Sequence, residues 1–253
     1  MKTAVREPDA TDRAGRDTTR RHAGDRSWLA RLWYRLVQFS VATLLSATGG
    51  LRCSGRHNIP ETGGVLLVSN HLSHLDVFVL GILVTRPLNY VARSTLFLPI
   101  LGPLIRSVGG FPIQREGMGA SGLKETLRRL RNGGIVTLFP EGTRSRTGEL
   151  GELKPGIAVL ASRARVPIVP AAVAGTFESW PRTRPFPRPH PIRVHYGPPI
   201  LPEEIAGLPP EEVVERIRAG MIACQRIARD GLRRDLGLLP NGAGPAHPTP
   251  TGG

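Results

Sequence analysis

The chain has 253 residues, 34 Lys and Arg against 20 Asp and Glu, and a formal charge of +14. A hydrophobic share of 40% excludes wholesale disorder and is enough to bury a core, as one large domain or two small ones. Lys accounts for only 3 of the 34 cations, and guanidinium forks match phosphate oxygens, so nucleic acid, an anionic membrane and phosphorylated metabolites all stay open as partners. Cys53 and Cys224 stand alone, without the spacing of a disulfide framework or a zinc site.

Residues 1–26 are polar and of mixed charge and are expected to form a disordered tail, too charged for a secretory signal. Residues 27–48 contain no Gly or Pro and are expected to be helical. Arg31, Arg35 and Gln38 interrupt the apolar stretch and leave too little to span a bilayer, which takes about 20 predominantly apolar residues. The expectation is an interfacial amphipathic helix over 27–50, with Trp28, Trp33 and Tyr34 at headgroup level and Arg31 and Arg35 toward anionic lipid. The alternative is a helix packed on the protein's own core.

The main body of the chain, 51–239, follows. Apolar runs at 64–69, 89–92, 111–114, 135–139, 168–173 and 192–196 show little polar alternation, the mark of strands buried on both faces. Helical segments at 74–84, 94–106, 119–131 and 155–164 separate them, so the fold class is α/β, with a largely parallel central sheet flanked by helices. Residues 181–191 hold five prolines and three arginines and form an extended loop. A last amphipathic helix covers 209–236, and 240–253 is expected to be a second disordered tail.

Two stretches carry chemistry. In Ser69-Asn-His-Leu-Ser-His-Leu-Asp76, His71 sits on a turn after a buried strand and Asp76 about one turn into a helix. A carboxylate there can reach back to one imidazole nitrogen, fix the tautomer and leave the other nitrogen to accept a proton. This is the base-and-orienter half of a triad. No G-x-S-x-G elbow supplies a nucleophilic serine, so the pair is suited to deprotonating a hydroxyl of the substrate itself. His74 is expected to be a surface or packing residue.

In Phe139-Pro-Glu-Gly-Thr-Arg-Ser145, Gly142 allows close backbone approach, Thr143 and Ser145 offer hydroxyls, and Arg144 offers a phosphate fork. Glu141 is suited to orienting the arginine or binding a substrate hydroxyl. The run lacks the pattern of a Walker loop. Arg93, Arg115 and Lys154 fall near other strand ends or a helix start, where open α/β sheets place their ligands.

These blocks, with Gly109–Arg115 and Val166-Pro-Ile-Val-Pro170, stand in the order of the four motif blocks of the glycerolipid acyltransferases. Over roughly residues 50–200 the chain resembles the 1-acyl-glycerol-3-phosphate (lysophosphatidic acid) acyltransferase group; Pro112 replaces the family's usual aromatic and Arg93 its common lysine. The resemblance implies that His71 is general base on the glycerol hydroxyl, with Asp76 orienting it. It implies direct attack on acyl-CoA or acyl carrier protein, and a phosphate held by Arg144 and Arg93, with Arg115 and Lys154. Glu141, Gly142 and Thr143 would shape the same pocket. No metal or organic cofactor is implied. The acceptor would be lysophosphatidic acid or another lyso-phospholipid or lyso-aminolipid. The setting would be the cytoplasmic face of the cell membrane, with a peripheral or monotopic enzyme on an anionic surface. The charge of +14 leaves a non-catalytic binder of anionic lipid or nucleic acid as the alternative, and for nucleic acid the chain lacks the helix-turn-helix, zinc-finger or aromatic RNA motifs.

Overall fold

The computed structural model describes residues 28–47, 49–82, 84–94, 98–99, 101–107, 109–113 and 119–240. The two expected tails lie outside the described residues, apart from Pro240, and so does Arg115. The described elements are α1 (Trp28–Ala47), β1 (Leu51–Ser54), β2 (Val65–Ser69), α2 (Asp76–Ile82), β3 (Leu88–Arg93), α3 (Leu101–Ser107), β4 (Gly110–Ile113), α4 (Ala120–Arg131), β5 (Ile135–Leu138), α5 (Gly156–Ala164), β6 (Ile168–Ala174), α6 (Thr176–Ser179), β7 (Ile192–Tyr196), α7 (Pro202–Ile205) and α8 (Pro210–Asp235).

The seven strands form one sheet in the order β1-β7-β6-β2-β5-β3-β4. Strands β2 to β6 run in one direction. The β7 strand is antiparallel to β6, and β1 is parallel to β7. Every residue of β2, β5 and β6 is buried, because helices cover both faces. On one face Leu66, Val68, Val136 and Ile168 meet Leu127 and Leu130 of α4, Ile157 and Leu160 of α5, and Ile217 and Met221 of α8. On the other, Val65, Leu67, Val169 and Val173 meet Leu75, Val79 and Leu80 around α2. The period-2 alternation of a strand therefore sorts one continuous apolar run into two cores.

The short β1 escapes sequence reasoning because its residues alternate between half-buried and exposed at the sheet edge. The one-turn helices α6 and α7 are too short to show a period.

The α1 helix has two distinct sides. Tyr34 is buried, although it was expected at headgroup level, and its hydroxyl lies 3.4 Å from the Leu88 N–H. Gln38, one turn on, donates to the carbonyls of Gly81 (2.6 Å) and Val84 (3.3 Å). Glycine at 81 is required, since a Cβ there would come within 2.4 Å of the Tyr90 hydroxyl and 2.9 Å of the Tyr34 hydroxyl. Gln38, read as an interruption of the apolar stretch, is thus the polar side of the docking seam. Trp28, Leu29, Leu32, Trp33, Leu36 and Phe39 remain exposed on the rest of the helix. No helix among the described residues is long and apolar enough to cross a membrane.

At the other end of the sheet order, α8 is pinned to β7 by a forked ion pair from Arg193 to Asp235 (2.5 and 2.6 Å), and Arg52 of β1 adds a contact at 2.9 Å. The Arg193 hydrogen bonds hold the Asp235 carboxyl below its ordinary value of 3.8. Its contribution is therefore complete above that value and is lost as pH falls through the lower folded one. Asp235→Asn should cost about 1–2 kcal/mol in urea unfolding at pH 7, discounted for the solvent that reaches the pair. The same comparison at pH 3 should give a smaller difference between variant and wild type.

Candidate active site

The turn after β2 and the turn after β5 lie side by side at the carboxyl edge of the sheet, because these strands are parallel neighbours from Val65↔Ile135 to Val68↔Leu138. The β6 strand borders β2 on its other side, with Ser69 opposite Ala171. Asn70 extends that pairing with its side chain. Its Oδ1 accepts from the Val173 N–H (2.8 Å) and its Nδ2 donates to the Val173 carbonyl (3.0 Å). The carboxamide thus stands in for a peptide unit and holds the chain straight up to His71.

His71 Nδ1 lies 2.8 Å from Asp76 Oδ2. The same oxygen accepts the backbone N–H groups of Leu72 (2.6 Å) and Ser73 (2.7 Å), while Oδ1 accepts the Thr176 hydroxyl (2.7 Å). Asp76 is fully buried, and these four donors replace the water it has lost. It is the first residue of α2 and not one turn inside it, so its carboxylate folds back over the turn that carries His71. An ionised carboxylate only accepts, so the shared hydrogen belongs to His71 Nδ1 and the lone pair to Nε2. The imidazole stacks on the Phe139 ring at 4.0 Å and 14°, and a fifth of the His71 side chain remains open to solvent.

The His71 peptide is clamped from the neighbouring turn. Its N–H donates to Glu141 Oε1 (2.8 Å) and its carbonyl accepts the Ser145 N–H (2.7 Å). Glu141 Oε2 accepts the Gly151 N–H at 3.0 Å. Burial pushes the Glu141 carboxyl above its ordinary range, against the pull of those two N–H donors. Both Glu141 oxygens therefore have backbone partners, where sequence reasoning aimed this carboxylate at the arginine or a substrate hydroxyl. Gly142 has a φ of 68°, and a Cβ there would lie 2.5 Å from Lys154 Cε. The Lys154 stem thus passes directly over the turn, and its N–H donates to the Pro140 carbonyl at 2.9 Å.

Thr143 and Lys154 are exposed and Arg144 is half-buried. Arg144 Nη1 lies 2.5 Å from His74 Nε2. Burial first, then the charge of Arg144, lowers the His74 pKa, which favours the neutral ring that can accept from the guanidinium. Arg93 ends β3, next to Ile113 of β4, also toward the carboxyl edge. The structure therefore brings His71, Asp76, Glu141, Gly142 and Arg144 together with Lys154 beside them; Arg115 is outside the described residues. Among those residues, no group of three or more His, Cys, Asp or Glu side chains is placed to hold a metal ion.

Sequence reasoning missed Thr176 and the stacking role of Phe139. Thr176 is 100 residues from Asp76 and reaches it only because β6 lies beside β2. Its one local signal is Gly175, whose φ of 89° turns the chain sharply after β6.

A family model described as Acyltransferase matches residues 50–174. The 1-acyl-sn-glycerol-3-phosphate acyltransferase of Bacillus subtilis is 32% identical over 144 residues, 56% of this chain and 71% of that one. The alpha form from Mus musculus is 32% identical over 203 residues, 76% of this chain and 70% of its own. The protein of the same name from Limnanthes douglasii is 34% identical, but the chain spans only 50% of its length. The crystal structure of the 1-acyl-sn-glycerophosphate (LPA) acyltransferase PlsC from Thermotoga maritima matches with a TM-score of 0.64, over 81% of this chain and 78% of that one. At 24% identity that likeness speaks for the fold. Fold, motif geometry and relatives converge: this chain is an acyltransferase and belongs to the 1-acyl-sn-glycerol-3-phosphate acyltransferase family.

Proposed function

We propose that the chain transfers a fatty acyl group from an acyl thioester, acyl-CoA or acyl carrier protein, to the free hydroxyl of 1-acyl-glycerol-3-phosphate, giving phosphatidic acid for phospholipid biosynthesis. The observation that carries this is the His71–Asp76 pair, with Nδ1 engaged at 2.8 Å and Nε2 available on a partly open ring. His71 Nε2 takes the hydroxyl proton while the oxygen attacks the thioester carbonyl. The tetrahedral intermediate collapses, the C–S bond breaks, and the imidazolium returns its proton to the departing thiolate. Asp76 stabilises the imidazolium between these steps. The thioester is already activated, so the reading calls on no metal or organic cofactor.

Arg144 lies one residue from the clamp that holds His71 and is the first candidate for the acceptor phosphate, with Arg93, Arg115 and Lys154 as further cations of the same pocket. Gly142 and Thr143 shape that pocket, and Glu141 serves it by fixing the His71 peptide. The exposed apolar side of α1 suits a peripheral or monotopic seat on the anionic cytoplasmic face of the cell membrane, where the acceptor resides.

Thiol release from acyl-CoA or acyl carrier protein, followed over a panel of lyso-lipid acceptors, tests the reaction and names its donor and acceptor. His71→Ala should lower kcat by about 10²–10⁴ with acceptor binding retained; near-normal turnover would overturn the assignment. Arg144→Ala should raise KM most for acceptors bearing a free phosphate and least for those without one. Glu141→Gln places an amide NH₂ against one of two backbone N–H donors. It should therefore lower thermal stability and kcat together while leaving the acceptor KM nearly unchanged, whereas a ligand-binding carboxylate would show the reverse.

A further inference from the structure

The loop 181–191 (PRTRPFPRPHP) has no part in the reaction as derived above, yet it is held firmly and sits beside the site. Its base is closed by the Arg188 N–H to the Ser179 carbonyl (2.9 Å) and by the Ser179 hydroxyl to the Arg188 carbonyl (2.8 Å). Arg188 Nε donates to the Glu178 carbonyl (2.7 Å) and the Trp180 indole to the Arg184 carbonyl (3.1 Å). The Trp180 carbonyl accepts the Ser73 hydroxyl (2.7 Å), and its ring lies against His74. At its far end the loop touches the end of α1: a Cβ on Gly49 would come within 2.5 Å of the His190 carbonyl carbon.

The sheet explains this meeting. Because β7 and β1 run against the other strands, their first residues, Ile192 and Leu51, lie at the edge where β2, β5 and β6 end. The active-site turns, the loop and the carboxyl end of α1 therefore share one edge of the molecule. The loop carries Arg182, Arg184 and Arg188, no acidic residue, and Phe186 between Pro185 and Pro187. Phe186 is 78% exposed, the highest value among the large apolar side chains described.

We propose that this loop is a lipid-contacting element that seats the mouth of the active site on an anionic bilayer, with Phe186 entering the headgroup–acyl boundary and the arginines on lipid phosphates. The proposal rests on the acyltransferase reading above for the need of a bilayer-borne acceptor. Prolines on both sides limit the freedom lost when the tip is ordered. An acidic carrier protein would match the arginines as well. A bilayer alone offers phosphates and an apolar layer together, over an area wide enough to reach the exposed side of α1 at the same time.

The test is flotation of the full chain with vesicles of dioleoylphosphatidylglycerol or dioleoylphosphatidylcholine. The R182Q/R184Q variant should bind phosphatidylglycerol vesicles about 25-fold more weakly, at about fivefold per arginine, and differ little on phosphatidylcholine. Phe186→Ser should weaken binding to both by about tenfold. Both should keep wild-type thiol release with a short-chain acceptor below its micelle concentration. An environment-sensitive fluorophore on Phe186→Cys, in a Cys53→Ser background, should shift to the blue on phosphatidylglycerol vesicles. Cys224 stays unlabelled, since burial pushes its thiol up to about 12. An unshifted label, or wild-type flotation by both variants, overturns the proposal. So does intact flotation with a selective loss of turnover on acyl carrier protein, which assigns the loop to a protein donor. Flotation needs no turnover, so a chain that binds through the loop but acylates no lyso-lipid sinks the acyltransferase substrate and spares this inference.

Discussion

A carboxylate removed from water has to be given donors in its place, and Asp76 sets that demand for the whole active edge. Two of its donors come from its own turn, one from His71 and one from the far side of β6. Meeting all four fixes where the β2 turn can lie and how far α2 must start from it. It also requires Thr176 to follow β6 closely. The imidazole then has one orientation, reinforced by the Phe139 ring beneath it.

The second carboxylate, Glu141, applies the same rule to backbone. Its two oxygens join the His71 peptide to Gly151, so the turn after β5 and the segment before α5 are tied to His71. Gly142 is favoured as glycine by its left-handed φ, and the flexible Lys154 stem occupies the space above it. The site is thus a set of turns locked together by buried acceptors, with the half-buried Arg144 and the exposed Lys154 beside it.

Sheet direction decides how this edge meets its surroundings. If β7 had continued the parallel order, the 181–191 loop would have returned along a helix to the opposite edge. The reversal at β6–β7 keeps the connection short on the active side and, through β1, delivers α1 there as well. Tyr34 and Gln38 dock that helix with polar groups aimed at backbone, which leaves its large apolar side chains facing outward.

Much of this was legible along the chain. Continuous apolar runs such as Val65–Ser69 and Ile168–Ala174 announce strands covered on both faces, and the helix periods between them announce the layers, because burial periodicity is a local property. The pairing of His71 with Asp76 was legible too, since five residues of separation suffice to bring a carboxylate to an imidazole. Strand order was not, and everything that depends on it was hidden: Thr176 on Asp76, Asn70 on Val173, and the meeting of Gly49 with His190. Those contacts join residues about 100 or more positions apart, and only the packing of non-consecutive strands brings them within hydrogen-bond or contact range. The direction of each polar side chain was hidden for the same reason. Glu141 and Tyr34 carry groups that could face solvent or a ligand. The free-energy cost of leaving buried backbone N–H groups unpaired turned them inward.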